Sequence, residues 1–141
     1  MTRVWVAGLP APQGSKRHVG RGRLVESSKK VKPWRTAVAT EAEKADFGEP
    51  PYVRVVAWFY LPRPKSHYRS GRFAHLLKPS APRLPGKYPD VDKLARSTLD
   101  ALRMGGAYAD DAQVVTLHAH KRFAEFGEVP GAMIEVSEGG L

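Results

Sequence analysis

Residues 89–121 read PDVDKLARSTLDALRMGGAYADDAQVVTLHAHK. Leu94, Thr98 and Ala101/Leu102 recur at spacings of three and four, which places them on one helical stripe, and Gly105-Gly106 supplies the C-terminal stop. Val114–Lys121 then alternates as a strand does. Ala132–Val136 (AMIEV) is a further strand, joined to it through a turn at Gly127–Gly131. Working back toward the N-terminus, Tyr52–Leu61 (YVRVVAWFYL) is too β-branched and aromatic for a helix of that length, and its near-continuous apolarity predicts a central strand. Pro33 suits the first turn of a helix in which Trp34, Val38, Ala42 and Ala45 share a face to about Asp46, with Trp34 as a core anchor. Thr2–Leu9 predicts a short central strand stopped by Pro10. The order is β-α-β-α-β-β, an α+β fold with a small mixed sheet and two main helices.

The chain has 141 residues, of which 42% are hydrophobic, enough for one domain over 1–141 with a real core. It has no cysteine, so disulfides, thiolate metal sites and cysteine nucleophiles are excluded, and any metal chemistry must use oxygen and nitrogen ligands. No membrane span or signal peptide is legible, which makes a cytoplasmic protein the expectation. A formal net charge of +9 favours a polyanionic partner, because phosphate contacts release counterions, and nucleic acid comes first. The charge is concentrated. Gln13–Lys32 carries seven basic residues against one acid and predicts a basic loop or hairpin. Pro62–Tyr88 carries five prolines and seven Lys/Arg with no acid, which predicts a mobile basic arm rather than a solvated linker, since a linker does not explain charges of one sign.

Against this background the acids stand out. Asp90 and Asp92 lie two apart before a helix, so in an extended lead-in both side chains project to one side. Capping needs one oxygen, and Asp92 supplies it, which leaves Asp90 without a local structural task. Asp110-Asp111 follows the helix-ending turn and is expected to fold back beside the first pair. Crowded carboxylates repel unless a cation compensates, and Mg²⁺ suits such a set because it takes oxygen ligands and commonly shares them with substrate phosphates. Arg96 lies one helical turn after Asp92, placed for a phosphate contact or an ordinary i,i+4 ion pair. Asp100 continues that face and reads as structural.

The residues Asp90-Val-Asp-Lys-Leu through Asp100-Ala-Leu, then Asp110-Asp-Ala-Gln-Val and Lys121, resemble the RusA family of Holliday junction resolvases. Pro10–Arg17 (PAPQGSKR) is similar to the exit from that family's first strand. The resemblance implies a small homodimeric, Mg²⁺-dependent endonuclease, with Mn²⁺ as a substitute, acting on branched DNA in a bacterial cytoplasm and often encoded by a phage or prophage. It makes Asp90, Asp92 and Asp111 the metal-binding catalytic carboxylates. Arg96 stands where the best-known pattern has a catalytic lysine. It keeps the charge but cannot donate a proton near neutral pH, so stabilising the pentavalent phosphate is the role left to it. Lys93 stands where an asparagine is often found and reads as a phosphate contact or a solvated residue, while Lys121 matches a family lysine on the strand facing the site. The implied chemistry is phosphodiester hydrolysis by metal-activated water, without a covalent intermediate.

Lys16 and Arg17, with Arg63, Lys65, Arg69 and Arg72 of the arm, are then the expected DNA-backbone contacts. Symmetric nicking of a four-way junction needs two sites related by a twofold axis, hence a homodimer, with Trp5, Phe59 or Phe123 contributing to its interface. The glycines at 14, 20 and 22 lack the spacing of a phosphate loop, so no nucleotide cofactor is expected. His118 and His120 share a strand face and read as a surface pair rather than a metal site. Two rival readings remain. One is a noncatalytic basic DNA-binding protein whose aspartates merely cap helices, and the other is a less selective branched-DNA or flap nuclease.

Overall fold

A computed structural model describes the backbone of residues 1–14, 16–18, 24–26 and 29–140, and the side chains of 1–14 and 29–140. In chain order the elements are β1 (Thr2–Ala7), β2 (Lys16–His18), β3 (Leu24–Glu26), α1 (Val31–Glu43), β4 (Val53–Leu61), α2 (Val91–Met104), β5 (Val114–Phe123) and β6 (Gly131–Glu138). This is the expected α+β order, with a small β2–β3 hairpin added within the basic N-terminal segment. Helix α1 starts two residues before Pro33, which still lies in the first turn where its missing N–H costs nothing.

Four strands form one sheet in the order β1-β6-β4-β5. β6 runs antiparallel to both β1 and β4, whereas β4 and β5 are parallel, joined by the long crossover that contains α2. β4 is interior, as its apolar run requires. β1 is not central: among the described residues it pairs with β6 alone, and its burial alternates, with Val4 and Val6 inside and Arg3 and Trp5 outside. The sequence of β1 is compatible with either position, because both need alternate apolar residues; its single partner decides the matter.

Alternate residues of the sheet, Val4, Val6, Val53, Val55, Phe59, Ile134 and Val136, pack with Trp34, Val38, Leu94 and Leu102 of the two helices into one core. Phe59 is fully buried, so it is a core residue rather than an interface one. Trp34 is 2% exposed and its indole N–H donates to Thr98 Oγ1 at 3.1 Å, which satisfies the one polar atom that its burial would strand. Trp34 thereby ties α1 to α2.

The basic segment after β4 carries backbone hydrogen bonds of its own. Backbone bonds Arg69 N–H to Leu76 O (2.8 Å) and Lys78 N–H to His67 O (2.9 Å) clasp two short 3-10 turns. Arg63 anchors its base, donating to Pro82 O at 2.6 Å while its guanidinium lies 4.1 Å from the Phe123 ring centre. Residues 69–80 are nevertheless exposed throughout.

Candidate functional site at helix α2

Helix α2 organises the acids, and it does so by length. Asp90 occupies its N-cap position with extended backbone, yet its carboxylate accepts no capping hydrogen bond. Asp92 is in the first turn, where a negative charge suits the helix dipole, so the capping position belongs to Asp90 and not, as the spacing suggested, to Asp92. The Asp90 carboxylate instead lies 3.9 Å from the Lys93 ammonium, both groups exposed. Arg96 is exposed on the next turn and enters no ion pair among the described residues.

Two tethers hold this end of the helix. The Gln13 N–H donates to Lys93 O at 3.0 Å, and the Ser97 hydroxyl donates to Ala11 O at 2.6 Å, so the exit from β1 lies along the first two turns of α2. Gln13 Oε1 is buried without a hydrogen-bond partner among the described residues. On the other side, Lys121 of β5 donates to Lys87 O at 2.8 Å and Pro89 O at 2.9 Å. Its ammonium therefore fixes the backbone leading into Asp90, and two of its three protons are committed to that task.

The second acidic pair lies elsewhere. Asp110 caps the 3-10 turn before β5, accepting from the Ala112 N–H at 2.8 Å, while Gln113 Oε1 accepts from the Asp110 N–H at 2.9 Å. Asp111 is left for other work. It lies 3.5 Å from Nε of Arg103 and near Asp100, in the C-terminal half of α2. Partial burial, and then the Asp100 charge, push its carboxyl above the ordinary carboxylate range despite the pull of Arg103. Burial first, then the charges of Asp111 and Asp100, push the Tyr108 phenol up, so it stays neutral and donates to Leu99 O at 2.7 Å.

Ten helical positions separate Asp90 from Asp100, about 15 Å at 1.5 Å per residue. The expectation that Asp110-Asp111 folds back beside Asp90 and Asp92 is therefore not met within one chain. The turn at Gly105-Gly106 is tight and returns the chain beside the last turns of α2, not its first. Among the described residues no three Asp, Glu or His side chains approach closely enough to hold one ion. The set Asp90, Asp92 and Asp111 does not fit a divalent metal as a single chain presents it. What one chain does build is an Asp90/Asp92 pole with Lys93 and Arg96, and an Asp100/Asp111 pole with Arg103 and Tyr108. Asp100 reads as structural from sequence; its placement beside Asp111 depends on the turn, and no local signal carries it.

The proposed DNA contacts divide likewise. Lys65, Arg69 and Arg72 are exposed on the basic segment, whereas Arg63 is occupied by Pro82 and Phe123. Lys16 and Arg17 lie on β2, with side chains outside the described residues. His118 and His120 face away from the helices; His120 stacks on Trp58 with ring centres 5.7 Å apart.

Comparison with known proteins adds one match: the family model described as Endodeoxyribonuclease RusA covers residues 7–137. No curated protein matches the chain.

Proposed function

The chain belongs to the RusA endodeoxyribonuclease family, and from that premise we propose that it resolves four-way DNA junctions by paired, symmetric nicks as a homodimer. The family match over nearly the whole chain carries this reading, and it favours a nuclease over a noncatalytic DNA-binding protein. Asp90 and Asp92 are proposed as catalytic carboxylates, with Asp111 as the third. Lys93 and Arg96 flank the first pair at a helix N-terminus, where free N–H groups and two cations suit a phosphate. Arg96, always charged, would hold the scissile phosphate and its developing negative charge rather than pass a proton. Lys65, Arg69 and Arg72 would follow the backbone of an arm of the junction, positioning it without reading bases. Cutting is proposed to depend on Mg²⁺, with Mn²⁺ as a substitute.

The test compares four-way, three-way, flap and linear duplex DNA at equal salt, with Mg²⁺, with Mn²⁺ and with neither, for the wild type and Asp92→Asn. The expected outcome is cutting of the four-way junction alone, requiring the metal and falling roughly 10²-fold or more in the variant, the scale of a lost catalytic carboxylate. Equal cutting of linear DNA would instead establish a less selective nuclease. Salt-sensitive binding with no cutting under any condition would favour the noncatalytic reading.

A further inference from the structure

Beside the Asp90/Asp92 pole opens a cleft of about 690 Å³, a size suited to a small organic ligand. The exit from β1 (Pro10–Pro12) and the return of the basic segment into α2 (Pro85–Pro89) both line it, together with Pro62 and Pro64. Each of these stretches is tied to the site. The Ser97 hydroxyl of α2 donates to Ala11 O, and the Lys121 ammonium donates to the carbonyls of Lys87 and Pro89, on either side of Tyr88. The backbone of Tyr88 is thereby fixed, two residues and at most about 7 Å along the chain from Asp90. Its side chain lines the cleft yet is 75% exposed, and among the described residues it stacks on no other aromatic ring. Charge is one-sided here too. Lys30 and Lys87 line the cleft, and among the described residues no Asp or Glu does.

We infer that this cleft receives one unstacked nucleotide of branched DNA, next to the phosphodiester held at the Asp90/Asp92 pole, with Tyr88 as the surface on which its base stacks. The inference rests on the nuclease reading for the identity of the strand. Seven of the lining residues are prolines, which have no backbone N–H, so the walls present few donors to the edge of a base. What they present is aliphatic ring and one free phenol ring, which hold a base by its faces and accept any of the four. The two lysines and the lack of carboxylates suit a ligand that carries negative charge, as a nucleotide does and an apolar metabolite does not. Taking a base out of a continuous duplex costs unstacking and unpairing, and that cost is least where the stack is already interrupted. A branch point is such a place. A cleft that is filled as the phosphate settles beside Asp90 therefore favours branched DNA over linear duplex without reading sequence.

The test measures binding in EDTA, so that no strand is cut, for the wild type, Tyr88→Ala and Tyr88→Phe. The DNAs are a linear duplex, an intact four-way junction, and junctions lacking one base at each position within two nucleotides of the branch point in turn. Tyr88→Ala is expected to weaken binding of the intact junction roughly 5- to 100-fold, the worth of one base–aromatic stack, while Tyr88→Phe binds as the wild type does. Tyr88 is exposed, so its removal leaves the core intact. The loss is expected to vanish on linear duplex and on the one junction that lacks the pocketed base. No loss on the intact junction overturns the inference, and so does an equal loss on every DNA, which would make Tyr88 a general backbone contact. Coupling between Tyr88 and one base, in a wild type that never nicks with Mg²⁺ or Mn²⁺, would sink the nuclease reading and leave the cleft standing. Nicking by the wild type without that coupling would do the reverse.

Discussion

At the scale of the residue, Asp111 shows how a neighbour's charge becomes a pH dependence. Its carboxyl titrates above the ordinary value in the folded chain, through burial and then Asp100. As pH rises between the ordinary value and the raised one, the unfolded chain has released a proton that the folded chain still holds, so stability falls across that window and stays lowered above it. Asp111→Asn is therefore expected to raise the unfolding temperature at pH 7 and to lose that gain as the pH drops below the ordinary carboxylate value. The 45% exposure of both Asp111 and Arg103 keeps the effect below about 1 kcal/mol, since water screens such groups. Thermal unfolding from pH 3 to 8 measures it, and an equal gain at every pH would dismiss the Asp100 repulsion. The presence of Asp111 was legible in the sequence, but not its shifted titration, because Asp100 lies eleven positions earlier and only the turn between them brings the two together.

Elements act here as rulers and clamps. Fourteen residues of α2 set the distance between the acidic poles, while β5 fixes one of them through the Lys121 ammonium. Lys121→Met keeps the unbranched stem, one atom shorter, and removes both bonds, freeing two carbonyls ahead of Asp90. The expected outcome is a loss of about 1–3 kcal/mol in denaturant unfolding, together with weakened nicking but retained junction binding. Abolished binding with unchanged stability would make Lys121 a DNA contact in its own right. Sequence reading placed Lys121 on the strand facing the site; the carbonyls it serves belong to a loop some thirty residues earlier, and no spacing rule reaches across that distance. The same holds for Gly105, where an added Cβ would lie 2.6 Å from Ala42 Cβ and 2.7 Å from Ala39 O. The glycine pair was legible as a helix stop, and its second task, letting α1 approach α2, was not.

For the whole molecule the governing feature is the balance of charge, a formal net +9, with Asp90, Asp92 and Asp100 set along one helix. The basic segment holds exposed Lys65 and Arg72, and neither enters an ion pair among the described residues. Lys65→Gln and Arg72→Gln are each expected to flatten the log–log salt dependence of junction binding by about 0.9 for every phosphate that the variant no longer neutralises. An unchanged slope would remove this segment from the DNA path.

Helix and strand positions, the central place of β4, the burial of Trp34 and the segregation of basic from acidic residues all follow from the chain read locally, because periodicity, β-branching and charge act over a few residues. The edge position of β1, the engagement of Lys121 and the pairing of Asp111 with Asp100 instead of Asp90 were decided by the tertiary structure. Each depends on which distant segment lies alongside, and a rigid helix of fixed rise cannot bring its two ends together, however strongly their side chains suggest a common task.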